Sequence, residues 1–194
     1  LIISVSIGAA EISTDEIGGI FLKEILGYQT NTEINNINKI IVLEWRLPRF
    51  CLGFLVGASL AIAGCGFQGV FKNPLADPFL LGSAAGAGLG VTLVIVNDLN
   101  YSFGIINSVQ LGAFIGALGA VICAAFISIS AGKSIASLLL AGIATAAFLT
   151  ACQTYLMHKY YSSMQEIYSW IIGRLLTSGW EDVIIILPLS LIHI

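Results

Sequence analysis

Phe50 to Val70 reads FCLGFLVGASLAIAGCGFQGV, 21 positions without a single charge. At 1.5 Å per residue an α-helix of about 20 residues crosses the roughly 30 Å hydrocarbon core of a bilayer. Lipid offers the backbone no hydrogen bonds, so a segment of this length must satisfy them internally, as a helix does. Three more uncharged runs follow: Phe79–Val96 with 18 residues, then Ser108–Ala131 and Ser134–Met157 with 24 each. The expected fold class is therefore all-α, a polytopic transmembrane helix bundle with complete spans near 50–70, 79–96, 108–131 and 134–157.

Composition agrees. Of 194 residues 57% are hydrophobic and 10% charged, and the mean hydropathy is +0.95. A soluble domain carries about 25% charged residues, so little of this surface is wet. Net charge is −3 with no basic block, which argues against nucleic acid as a partner and leaves the lipid bilayer as the principal one. Cys51, Cys65, Cys123 and Cys152 all fall within apolar runs and lack metal-ligand spacing, so they read as small hydrophobes. The chain opens on Leu1, and both LIISVSIGAA and the 12 residues Val183–Ile194 are too short to cross. Each end is expected to be a spanning helix cut partway, and residues 1–194 to be one incomplete transmembrane domain.

The connections are unequal. Glu11–Arg49 is long and polar, with Ser13 and Glu16 in capping-box relation. Ile17, Ile20, Phe21 and Ile25 then mark one face of a short amphipathic helix expected on the membrane surface. His158–Asp182 is a second long loop, with a short helix expected around Ile167–Leu176 and a further capping box in SGWE, Ser178–Glu181. Alternating helix direction groups loops 11–49, 97–107 and 158–182 on one side, and 71–78 and 131–133 on the other. All three tryptophans and all six tyrosines fall on the first side or at span ends facing it, as belt aromatics or as part of a docking face. Lys and Arg number six on that side and two on the other, which alone would put the long loops inside the cell.

Small residues recur four apart: Gly53 and Gly57, Gly82 and Gly86, Gly86 and Gly90, Gly112 and Gly116. Such spacing lets helix backbones approach closely where oil-on-oil contact supplies no driving force. GSAAGAGLG resembles a nucleotide fingerprint, but it lies inside a span and follows no strand. SAGKS at 130–134 lacks a phosphate loop's first glycine, since Ile127 occupies its place. His158 and His193 have no carboxylate or thiol at ligand spacing, and no serine or cysteine pairs with a histidine. No catalytic residue, metal or cofactor is expected.

Between the first two spans lies FKNPLADPFLLG, Phe71–Gly82. Pro74 and Pro78 stop helices, Asn73 is biased to extended backbone before Pro74, and Asp77 suits a helix cap. A tight re-entry loop accounts for the prolines; Gln68 and Asn73 are also candidates to line the inner end of a pathway. Farther on, Ser134, Ser137, Ala141, Thr145, Phe148 and Cys152 form a small, weakly polar stripe. Wall of a pathway and helix packing explain it equally.

Two long patterns carry a resemblance. WRLPRFCLGFLVGASLAIAGCGFQGVFKNPLADPFLLGSAAGAGLG, Trp45–Gly90, and SLLLAGIATAAFLTACQTYL, Ser137–Leu156, with YSWIIGRLLTSGWEDV beyond, resemble the FecCD-type permeases. These are membrane subunits of ATP-binding-cassette importers (type II) for iron–siderophore complexes, haem and cobalamin. The resemblance implies RLPR outside and NPLADP inside, against the charge tally. It implies a multi-pass subunit of the bacterial cytoplasmic membrane, paired with a second permease subunit (homo- or heterodimer), two cytoplasmic ATPase subunits and an extracytoplasmic binding protein. It further implies that Arg46 and Arg49 meet acidic residues of that protein, a reading preferred for the pair over simple interfacial anchoring of a helix end. Gln68, Asn73, Pro74, Asp77 and Pro78 would form a cytoplasmic loop or gate. The helix bearing Ser134, Ser137, Ala141 and Thr145 would border the translocation path. The ATPase-coupling segment would lie beyond residue 194. The competing function, an ion-coupled secondary transporter, calls for acids or broken helices at mid-membrane, and the four runs hold no Asp or Glu.

Overall fold

The computed structural model describes residues 5–28, 34–74, 76–104, 106–173, 175 and 178–192. Leu75, Arg174, Leu176 and His193, which figure in the sequence reading, lie outside them. Two compact units are distinguished, one of residues 1–59 with 175–194 and one of 60–174.

The first unit is organised by helix α1 (Thr14–Glu24), helix α2 (Asn36–Ile40), a π-helical turn (Ile41–Arg46), the N-terminal half of α3 (Leu47–Phe71) and the last described helix, α8 (Trp180–Ile192). Ile17 and Ile20 of α1 are buried with Val5, Ile12 and Val42, and Phe21 packs against that cluster. Ile25 is the C-cap and is half exposed, so it leaves the face expected to hold it. The apolar stripe of α1 thus meets protein, where a membrane-surface helix was expected. Ser13 accepts from the Glu16 amide at 3.2 Å. The Glu16 carboxylate does not return the bond but accepts from the Asn35 amide (2.9 Å) and from Asn38 Nδ2 (3.0 and 2.9 Å). Half of the capping box has become a tie between α1 and α2. At α8, Asp182 accepts from the Gly179 amide at 3.2 Å, one residue later than the box read from SGWE.

The second unit contains the C-terminal half of α3, a 3-10 turn (Pro78–Leu81), α4 (Ser83–Val96), a hairpin of two-residue strands (β1, Ser102–Phe103, with β2, Ile106–Asn107, antiparallel), α5 (Ser108–Ser130), α6 (Ile135–Lys159) and α7 (Met164–Ile172). Asn107 and Gln110 form a full capping box at α5, and Ser134 and Ser137 do the same at α6. Helix α7 stops at Gly173, whose φ of 85° an ordinary residue resists.

Among the described residues three helices are long and apolar enough to cross a membrane: Asn36–Phe71, Ser108–Ser130 and Ile135–Lys159. The stretch expected as a single span at 79–96 is divided. Its α-helix is 14 residues long and follows a 3-10 turn and Gly82, which is left-handed at φ 80°. Helices α4, α5 and α6 pack against one another. Gly86 faces Gly116 and Ala120, while Gly90 faces Gly112, so α4 and α5 run antiparallel with backbones touching. A Cβ on Gly86 would overlap the Gly116 carbonyl oxygen, and one on Gly90 that of Gly112. The glycine spacing therefore performs the packing read from it along α4 and α5, but not at Gly53, which meets only the tip of the Leu175 side chain, or at Gly57, which has open space around it.

Candidate functional site

The polar loop after α3 is held by its own side chains. Gln68 Nε2 donates to the Pro74 carbonyl (3.0 Å), and the Asn73 amide to the Gln68 carbonyl (3.2 Å). Gln68 thus closes the loop. The Ala76 amide bonds to the Asn73 carbonyl at 3.1 Å. Asp77 Oδ1 accepts from the Phe79 amide at 2.7 Å and caps the 3-10 turn, with Pro78 in the first position. Lys72, at φ 48°, ends α3 in a left-handed cap.

The two patterns singled out in the sequence meet here. Gly82 lies against α6 at Gly142 and Ala146; an added Cβ would stand 3.3 Å from the Gly142 carbonyl oxygen and from the Ala146 nitrogen. Gly142 in turn faces the Leu80 carbonyl and Leu81 Cα, and a side chain there would displace the turn. The end of the NPLADPFLLG loop is seated on α6 through a glycine from each side.

The stripe on α6 divides by depth. Ser134 is exposed and caps the helix, and its partner Ser137 also lies 3.0 Å from Ser128 Oγ of α5. Ala141 and Thr145 are buried within the unit, and Phe148 is exposed. Exposure thus alternates along the six residues, and the buried Thr145 Oγ1 has no hydrogen-bond partner among the described residues.

A polar contact that the stripe missed lies one residue past Cys152. Gln153 is buried and donates through Nε2 to Thr92 Oγ1 at 3.2 Å, and Thr92 donates to the Gly88 carbonyl at 2.8 Å. Gly88 makes the room, since a Cβ there would come within 2.9 Å of the Gln153 amide. The signal was present as a glutamine inside a 24-residue uncharged run, with Gly88 and Thr92 one turn apart on the opposing helix.

In the first unit Arg46 turns inward. Nη1 donates to the carbonyls of Val5 (2.7 Å) and Ser6 (3.2 Å), and Nη2 to that of Ala10. Its guanidinium gathers the chain preceding α1. Arg49 is half-buried on the first turn of α3. Trp180, read as a belt aromatic, donates its indole N–H to the Leu43 carbonyl at 3.1 Å. Among the described residues no group of three His, Cys, Asp or Glu is placed to hold a metal ion.

The family model of the FecCD transport family matches residues 1–194. The chain belongs to the FecCD transport family. Within it, the Fe(3+)-citrate import system permease protein YfmE of Bacillus subtilis is 36% identical over 193 residues, 98% of this chain and 54% of the relative. The hemin transport system permease protein HmuU of Yersinia pestis is 38% identical over 159 residues, 80% of this chain and 47% of the relative. A solved ABC transporter assigned to the metal-chelate type, in an inward-facing conformation, superposes with a TM-score of 0.74 at 24% identity, covering 98% of this chain and 55% of that one. The chain spans about half the length of the curated relatives it matches. With three helices able to cross, this FecCD member is a multi-pass membrane protein of a transport family, not an enzyme family.

Proposed function

We propose that the chain is part of the permease subunit of an ATP-binding-cassette importer that carries a metal chelate, most readily an iron–siderophore complex, across the bacterial inner membrane. In this reading both units belong to one transmembrane permease domain. It works beside a second permease subunit, two cytoplasmic ATPase subunits that hydrolyse ATP, and an extracytoplasmic binding protein. The observation that supports it most is the seating of the Pro74–Gly82 loop on α6 at Gly142. A loop held by Gln68, Asn73, Pro74, Asp77 and Pro78 and packed on α6 gives any movement of α6 a direct path to the loop. We assign the loop and the exposed Ser134 turn to the cytoplasmic gate. Ser137, Ala141 and Thr145 hold the adjoining helix in place behind the path, so their effect on translocation is indirect.

Docking of the binding protein falls to Arg46 and Arg49 in different ways. Arg46 is committed to three backbone carbonyls, so it shapes the docking face; Arg49, half-buried on the first turn of α3, carries the same guanidinium chemistry that pairs with carboxylates. The test is uptake of labelled ferric siderophores, haem and cobalamin by a deletion strain carrying the full-length gene. Uptake of a ferric siderophore that requires the partner ATPase supports the proposal; ATPase-independent uptake, or uptake of none of the three, contradicts it. Arg49→Glu should lower binding-protein affinity about tenfold with unchanged membrane insertion, and unchanged affinity would remove that residue from docking.

A further inference from the structure

The turn joining α2 to α3, IVLEWR at Ile41–Arg46, is π-helical inside an otherwise continuous helix from Asn36 to Phe71. Such turns are rare and have identifiable causes. Here the cause is two residues downstream. Pro48 is fully buried in the first turn of α3, and in an α-helix its ring would press on the carbonyl four residues earlier, that of Glu44. Widening the turn relieves that contact, and the Leu47 amide accordingly bonds to the Val42 carbonyl, five residues back.

The wider pattern has a consequence. In a five-residue register the Leu43 carbonyl should accept from residue 48, which is proline and has no N–H. That carbonyl loses its ladder donor, and it is the one the Trp180 indole reaches at 3.1 Å. In the four-residue register Leu43 would accept from the Leu47 amide instead, and the carbonyl without a donor would be that of Glu44, which is exposed to solvent. The two registers therefore differ in which carbonyl Pro48 leaves unsatisfied, and the indole serves only one of them.

We propose that Trp180 is a latch that holds the turn in the π register, and that releasing it lets the turn close to α and rotates the N-terminal half of α3, residues 47–59, about its own axis. The chemistry is an exchange of one hydrogen bond for another. The indole N–H leaves the Leu43 carbonyl for water, and the Leu47 amide moves from the Val42 carbonyl to that of Leu43. A contact at the first residue of α8 can thus be converted into a turn of a spanning helix without unfolding it. The Pro48 ring against the Glu44 carbonyl, Val42 in the apolar cluster and Arg46 on three carbonyls all oppose closing to α, so the α register is the minor state.

Cys51, half-buried one turn into α3, is a native reporter of that rotation. In the full-length protein in native membranes, with Cys65, Cys123 and Cys152 replaced by alanine, the rate of Cys51 labelling by a small maleimide is read for four forms. Trp180→Phe keeps an aromatic ring, smaller than the indole, and removes the donor, and should change the rate about fivefold, the factor one lost hydrogen bond supplies. Pro48→Ala restores the missing N–H, so Trp180→Phe added to Pro48→Ala should produce no further change. An unchanged rate in Trp180→Phe overturns the latch. An equal effect of Trp180→Phe with and without Pro48 also overturns it, because ring packing alone would act in both backgrounds.

Discussion

The two units bury different things. In the first, the interior is built from large β-branched side chains, Val5, Ile12, Ile17, Ile20 and Val42, and its polar groups are engaged in specific bonds: Arg46 on carbonyls, Glu16 on two asparagines. In the second, much of what is buried along α4, α5 and α6 is small: Gly86, Gly88, Thr92, Ala120, Ala124, Ala141, Gly142 and Thr145. The large side chains there, Phe114, Phe126 and Phe148 among them, point outward. A segment bathed in water gains by hiding its isoleucines, whereas a helix in lipid gains nothing that way and must bring backbones together. The same chain builds both kinds of interior, one from branched side chains and one from close backbones.

That contrast can be broken most directly in the second unit. Gly142→Leu would drive a side chain into the Leu80 carbonyl, and backbone cannot yield as a side-chain tip can. The full-length variant should lose more than about 3 kcal/mol and fail to accumulate as folded protein in the membrane. Normal expression and an unchanged Tm in detergent would mean that the loop is not seated on α6. In the first unit Ile20→Ala should cost about 3 kcal/mol through the cavity it leaves, read as a Tm decrease, while Phe148→Ala at an exposed position of α6 should move Tm little. If both residues cost the same, the two units do not follow different rules.

Smaller effects sharpen the comparison. Gln153→Leu removes the bond to Thr92, and interhelical bonds of this kind in membranes are worth about 0.6 kcal/mol. A modest Tm decrease is expected, and a loss as large as that of Ile20→Ala would mean that polar contact rather than backbone proximity holds α4 to α6. Least of all, Lys39→Ala breaks an ion pair with Glu24 (2.7 Å) between partly exposed side chains, worth below about 0.5 kcal/mol and less at high salt.

Much of this was legible in the residues, and what was not has physical reasons. Span lengths were readable because lipid excludes charge: uncharged runs at 108–131 and 134–157 became helices at Ser108–Ser130 and Ile135–Lys159. The break at Gly82 was not, because all 18 residues of its run are apolar or small and hydropathy cannot see a left-handed φ. Glu16 sits at capping-box spacing, yet its partners lie 19 and 22 residues away across a loop that no local pattern describes. Arg46 stood out as a basic residue at a helix mouth, and only the folded chain reveals that carbonyls of residues 5, 6 and 10 surround it. Gln153 was passed over because a stripe counted from Ser134 selects Cys152 beside it.

The central claim, that α4 and α5 lie backbone to backbone in the membrane, is tested most directly by disulfide trapping. In full-length protein lacking its native cysteines, Val94→Cys is paired with Gly112→Cys, because Val94 Cγ2 already crowds the place where a Gly112 side chain would begin. Oxidation in native membranes should join this pair rapidly and leave a Val94→Cys, Phe114→Cys pair unjoined, since Phe114 faces outward. Failure of the first pair to join, or equal joining of both, would contradict the packing on which the account rests.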